Sequence, residues 1–292
     1  MVRRILSSIA VLLLFSGLSF GQSPSPKEIL AKARVEKDLV YGPHERNKLD
    51  LAVPQGDGPF PLIVWIHGGG WEMGSKAGFG PLIEQIPRGY ALASIAYRFS
   101  QHAVFPAQLL DAKDAIRYLR ENAKKYNIDP DRIAVSGASA GGHLAALVGT
   151  SNGVKELDAE GAKAEATRVV CVVDFFGPTN LPKLSPPGSE SNPVTKLLGG
   201  DTGVKKELAK LASPMTHIDA KDPPFLIIQG DSDRVVPFEQ SEELHDALKK
   251  AGVESDLFTV KGGGHGLGIF NKATSEKVSQ FLDSHLKKQA KP

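Results

Sequence analysis

Continuous apolar runs, most of them closing on glycine, recur along this chain, and amphipathic helical patterns lie between them. "PLIVWIHGG" (residues 61–69), "YALASIAYR" (90–98), "RVVCVVDFFGP" (168–178) and "PPFLIIQG" (223–230) carry the mark of strands covered on both faces. "FPAQLLDAKDAIRYLRENAKKY" (105–126) spaces Leu109, Ala112, Ile116, Leu119 and Ala123 by three and four, which is one face of a helix. Its charges, Asp111, Asp114, Arg117 and Arg120, are expected on a solvated face. Residues 132–136 predict a short strand ending on Gly137, and "AGGHLAALVG" (140–149) predicts a helix. "PFEQSEELHDALKKAG" (237–252) is a helix with Gly252 as its stop. "SDLFTVKGGGHG" (255–266) is a last strand and "TSEKVSQFLDSHLKK" (274–288) a final helix. This alternation predicts an α/β chain with a mainly parallel sheet and helices on both faces. "NKLDLAVP" (47–54) alternates with period two and predicts a leading edge strand, antiparallel to the rest.

One stretch breaks the rhythm. Residues 179–222 open with a loop rich in proline and serine, "PTNLPKLSPPGSESNP" from Pro178, followed by the short helical pieces "VTKLLGG" and "VKKELAKLA". Two readings stay open for this insert: a small lid that walls a substrate pocket, or a plain surface crossover.

The first 21 residues read as a secretory signal peptide. Arg3 and Arg4 form a basic start, residues 5–15 are apolar, and Ser19-Phe20-Gly21 is a small-x-small cleavage site before Gln22. The apolar run falls short of the roughly 20 residues that span a bilayer. The expectation is an exported protein, periplasmic or extracellular, with residues 22–292 forming one domain and no stable membrane insertion after cleavage. Without Arg3 and Arg4 the 35 basic residues become 33, equal to the 33 acidic ones. No basic excess points to nucleic acid. Cys171 is the only cysteine and lies in an apolar run, so it is expected in the core, without an intramolecular disulfide.

The candidate chemistry sits where strands end. Gly137-Ala138-Ser139-Ala140-Gly141 matches G-x-S-x-G, and so does Gly17-Leu18-Ser19-Phe20-Gly21 inside the signal peptide. A bare match therefore carries little. Context favours Ser139, because a strand enters the motif and a helix leaves it, which lifts a serine onto the rim of a sheet. A serine needs a base and a set of oxyanion donors. "HGGGW" (67–71) follows an apolar strand, so the N–H groups of Gly69, Gly70 and Ala140 are the candidate donors, with Gly68 supporting the turn. His67 reads as a brace for that loop, and Trp71 as either a pocket wall or a packing residue. His265, in the glycine loop after the last strand, is the candidate base, whereas His143 reads as packing. Asp233 is the candidate third member, and Asp231 a brace for the turn that precedes it. The chain order Ser139, Asp233, His265, with the glycine loop upstream, is that of the α/β-hydrolase fold.

"HGGGW", "YRFS", the stretch from 105 to 148, "ASPMTHI", "GDSDRVVP" and "GGGHG" together resemble the α/β-hydrolases of the hormone-sensitive-lipase type. More narrowly they are similar to bacterial secreted carboxylesterases, which include feruloyl-esterase-like enzymes. The resemblance implies an α/β-hydrolase fold and hydrolysis of short-chain, acetyl or feruloyl-type esters, free or linked to polysaccharide. It implies an acyl-enzyme formed on Ser139, with no metal and no organic cofactor. Residues 22–46 look too short for the helical cap of lipase-like relatives, which implies a more open pocket. An amide or peptide hydrolase with the same triad, prolyl-peptidase-like or arylformamidase-like, is the alternative. A non-catalytic binding protein is a third reading, and it requires a damaged triad or oxyanion loop that this sequence does not show.

Overall fold

The computed structural model describes residues 24–161 and 163–287. The expected signal peptide, residues 1–21, and the G-x-S-x-G match within it lie outside the described residues. Eight strands form one sheet: β1 (Ala33–Val40), β2 (Lys48–Pro54), β3 (Phe60–Ile66), β4 (Ala91–Ile95), β5 (Ile128–Ala138), β6 (Cys171–Phe175), β7 (Phe225–Gly230) and β8 (Ser255–Val260). Their spatial order is β1-β2-β4-β3-β5-β6-β7-β8. The β1–β2 and β2–β4 pairs are antiparallel, and the remaining pairs are parallel. This is the α/β-hydrolase fold.

Nine α-helices occur among the described residues: α1 (Pro26–Ala31), α2 (Ala107–Glu121), α3 (Ala123–Tyr126), α4 (Ala140–Thr150), α5 (Leu181–Leu184), α6 (Pro193–Leu198), α7 (Lys206–Leu211), α8 (Glu239–Lys250) and α9 (Lys272–Leu286), with α5 to α7 in the 179–222 insert. β3 shows why its sequence is apolar throughout. Leu62, Val64 and Ile66 pack into the layer of α2, α4 and α8, while Ile63 and Trp65 pack into that of α1, a 3₁₀ helix (Gly80–Arg88) and α9. Each face of the strand is thus buried, and alternation vanishes. Cys171 opens β6, fully buried and free, and burial pushes its thiol far above the ordinary range.

Two expectations need correction. "NKLDLAVP" becomes β2, antiparallel as expected but not an edge: β1 lies outside it. The charges of α2 are not all solvated. Asp111 is 2% exposed and accepts from the Arg98 backbone N–H at 2.8 Å and from Arg98 Nη2 at 2.7 Å. A buried carboxylate with this many charge-assisted donors is satisfied in place.

Candidate active site

β5 ends at Ala138 and α4 begins at Ala140, so Ser139 alone makes the turn, at φ 55° and ψ −121°. A non-glycine residue at positive φ is strained by about 1–3 kcal/mol and needs surroundings that hold it. The Ser139 N–H donates to the Phe175 carbonyl at 2.9 Å, and the Ser139 carbonyl accepts from the His143 N–H at 2.9 Å. Gly141 lets the start of α4 lie against β3: a Cβ there would stand 2.0 Å from the Ile66 carbonyl oxygen.

The structure brings the three separated residues together. The Ser139 hydroxyl is 2.8 Å from His265 Nε2, and His265 Nδ1 is 2.8 Å from Asp233 Oδ2. The Asp233 side chain is fully buried. Besides His265 it accepts from Gln229 Nε2 at 3.0 Å and from the N–H groups of Val235 at 2.8 Å and Val236 at 3.0 Å. With these donors filling the carboxylate, it holds His265 Nδ1 protonated and leaves Nε2 free to accept from Ser139. Asp231 lies elsewhere: its Oδ1 accepts from the Gly262 N–H at 2.7 Å, bracing the loop that carries His265.

The loop after β3 runs beside Ser139, where a Cβ on Gly68 would stand 3.3 Å from the Ser139 Cβ. Gly69 and Gly70 have φ of 114° and 59°, and neither N–H donates to a backbone carbonyl among the described residues. Gly68 packs against the elbow, where a Cβ would stand 2.7 Å from the Ala138 carbonyl oxygen. Gly70 and Ala140 border one cavity of about 240 Å³ together with Ser139. Trp71, Leu184, Val194, Val235 and Val236 make that cavity largely apolar, and Ser185 and Asn192 add polar groups. Leu184, Ser185, Asn192 and Val194 come from the 179–222 insert, which therefore walls the cavity. Trp71 both walls the cavity and packs, at 2% exposure.

The other histidines do not compete. His67 stacks on Tyr97 at 4.6 Å between ring centroids, and its Nδ1–H donates to the Gly68 carbonyl at 2.7 Å. Burial lowers its pKa to about 4, so it is a neutral brace. His44, His102, His217, His245 and His285 bond to groups away from Ser139. His143 is more than packing. Its Nδ1 accepts from Trp71 Nε1 at 3.2 Å, and its Nε2 lies 2.7 Å from the Ala212 carbonyl. The helical spacing of four from Ser139 could have marked it, but its partners are separated from it by 72 and 69 residues. Among the described residues no group of three or more His, Cys, Asp or Glu is placed to hold a metal ion.

A family model described as BD-FAE matches residues 49–248, a span that holds Ser139, Asp233 and the glycine loop. The chain belongs to the BD-FAE family. A second model, for TAP-like proteins, matches residues 208–290 of this BD-FAE chain. Esterase LipC of Mycobacterium tuberculosis is 31% identical over 239 residues, which are 77% of this chain and 58% of LipC. The isoprenylcysteine α-carbonyl methylesterase of Arabidopsis thaliana is 29% identical over 80% of this chain and 56% of its own length. The chain thus spans less than two thirds of these curated relatives. Two solved structures match over nearly their whole length. A truncated carbohydrate esterase from gut microbiota superposes with a TM-score of 0.79 at 33% identity, over 89% of this chain and 98% of that one. Esterase 2 of Thermogutta terrifontis, solved phosphoramylated by tabun, gives 0.72 at 29% identity, over 89% and 98%.

Proposed function

We propose that this chain is a serine carboxylesterase that works through an acyl-enzyme on Ser139. The observation that carries the reading is the hydrogen-bond chain from Ser139 through His265 to the buried Asp233, at the edge of an apolar cavity that Gly70 and Ala140 also line. Ser139 Oγ attacks the ester carbonyl carbon, and its proton passes to His265 Nε2. The carbonyl oxygen becomes an oxyanion held by the N–H groups of Gly69, Gly70 and Ala140, with Gly68 shaping the turn. The intermediate collapses, the C–O bond to the alcohol breaks, and His265 protonates the departing oxygen. Water then gives a proton to His265 Nε2 and attacks the acyl carbon; the bond from that carbon to Ser139 Oγ breaks, His265 returns the proton to Oγ, and the acid leaves. Asp233 orients the imidazole and stabilises its charged form without taking the proton.

Support for the acyl-enzyme comes from Thermogutta terrifontis esterase 2, solved covalently modified by tabun, paraoxon and sarin, and with butyrate bound. The 240 Å³ cavity suits a short or single-ring acyl group. The gut carbohydrate esterase supports carbohydrate-linked esters as substrates, and we assign acetyl or feruloyl acyl groups to the cavity. Residues 22–292 act as one domain, and the 179–222 insert serves as a small lid. The first 21 residues direct export, periplasmic or extracellular, and among the described residues no helix is long and apolar enough to cross a membrane.

The test is hydrolysis of p-nitrophenyl acetate and methyl ferulate by wild type and Ser139→Ala, with the matched anilide alongside. Ester turnover is expected to fall by about 10⁴-fold or more in the variant. Undiminished turnover refutes the reading, and faster cleavage of the anilide assigns the site to amides.

A further inference from the structure

Trp71 holds a left-handed backbone, φ 57°, directly after Gly69 and Gly70, which are also left-handed. The loop therefore strings three positive-φ residues together beside the serine, and side-chain anchors must keep it there. One anchor is the indole. An indole N–H only donates, so the His143 Nδ1 it meets at 3.2 Å must be an acceptor. The imidazole proton then sits on Nε2 and donates to the Ala212 carbonyl at 2.7 Å. The two contacts together fix one tautomer, and a second proton on the ring would set two N–H groups against each other. Burial lowers the His143 pKa to about 4, which keeps the ring neutral at ordinary pH. His143 sits one helical turn after Ser139 on α4, and Ala212 follows α7 in the insert.

We propose that His143 is a positioning residue: it fixes Trp71, and through it the Gly70 N–H, relative to Ser139, and ties that geometry to the insert through Ala212. This rests on the esterase reading above, in which Gly70 is an oxyanion donor. The two halves of the link act differently. Losing the acceptor for Trp71 releases the oxyanion loop and lowers kcat. Losing the donor to Ala212 releases the insert, which walls the cavity, and changes KM.

Two substitutions separate the halves. An asparagine oxygen falls near the place of Nδ1, so His143→Asn keeps the acceptor. A glutamine amide nitrogen reaches the place of Nε2, so His143→Gln keeps the donor. The chain has two tryptophans, Trp65 and Trp71, so a ¹⁵N-labelled sample shows two indole N–H signals, and Trp71→Phe identifies the one from Trp71. In His143→Gln the Trp71 indole signal is expected to move upfield and kcat on p-nitrophenyl butyrate to fall about tenfold to a hundredfold, the penalty of a misplaced group near the chemistry, with KM within threefold. In His143→Asn the indole signal stays, kcat recovers to within a few-fold of wild type, and KM rises.

Unchanged kcat in His143→Gln with a shifted indole signal overturns the proposal. So do equal kcat losses in both variants that track lost thermal stability. If His143→Gln does not fold, Trp71→Phe, which keeps a ring but not the N–H, carries the same expected loss of kcat, and wild-type kcat there overturns it. A Ser139→Ala protein that still turns over ester refutes the esterase reading instead, and leaves the indole shifts of the His143 variants standing.

Discussion

Two runs of three glycines adjoin histidines in this chain, Gly68–Gly70 after His67 and Gly262–Gly264 before His265. In the first, a Cβ on Gly69 would stand 2.2 Å from the Met73 carbonyl oxygen, at a φ of 114°. In the second, Gly262 has a φ of 70° and open space around it. The histidines differ in the same way. His67 is buried, stacked and neutral, whereas the His265 side chain is 21% exposed and joins Ser139 to Asp233 through its two nitrogens. Gly263 is tight as well, where a Cβ would stand 2.9 Å from Ile269 Cδ1, so the contrast lies at Gly69 against Gly262 and at His67 against His265.

The sharpest way to probe the His265 side is to compare its two aspartates. Asp233→Asn is expected to lower kcat about 10⁴-fold, because an amide in place of the carboxylate favours the wrong imidazole tautomer. Asp231→Asn, which touches only the loop brace, should stay within about threefold of wild type, given that it removes no group from the reacting atoms. Steady-state rates on p-nitrophenyl acetate decide this, and comparable losses would erase the distinction between them.

The glycine contrast comes next. Gly69→Ala must displace the Met73 carbonyl, and a kcat loss of about a hundredfold is expected if the donor shifts. Gly262→Ala strains only its own backbone, at about 1 kcal/mol of stability, with rate nearly unchanged. Kinetics with a urea titration of each variant checks the pair.

The third prediction concerns pH. The folded His67 pKa of about 4 lies below the ordinary value of 6.5, so the unfolded chain binds the proton first as pH falls. Its stabilising contribution is complete above pH 6.5 and is lost progressively down to pH 4, by about 3 kcal/mol. His143 acts in the same direction, and Asp174, pushed up to about 7 by burial, acts in the opposite one. His67→Gln should therefore flatten the fall of stability between pH 6.5 and 4, as read from denaturation curves at several pH values. An unchanged slope would remove His67 as its source.

The smallest effect is expected at the Glu72–Lys196 ion pair, 2.7 Å between the loop after β3 and α6. Its lysine is half exposed, so Lys196→Ala should cost less than about 1 kcal/mol. A melting temperature several degrees lower would show that this strap holds the insert more firmly than a surface pair can.

The sequence made the sheet legible wherever strands are buried on both faces, as in β3 and β7, since continuous apolar runs need no partner to be recognised. β1 was not legible. "ARVEKDLV" carries charges at half its positions and is a strand because β2 offers an unpaired edge. Asp111 was misplaced for a related reason: helical spacing tells which face a residue occupies, not that Arg98 will arrive there. At the site, Ser139, His265 and Asp233 could be ordered along the chain because each follows a strand that ends on the same rim. The His143 contacts could not, because an indole donor and a backbone acceptor from two distant segments complete them.

Cys171 has a practical consequence. It is the sole thiol, sealed at the start of a central strand and held protonated. A thiol-directed dye can reach it only when the middle of the sheet parts, so the labelling rate of the unmodified protein times its global opening, and a bound ester analogue that steadies the rim should lengthen that interval.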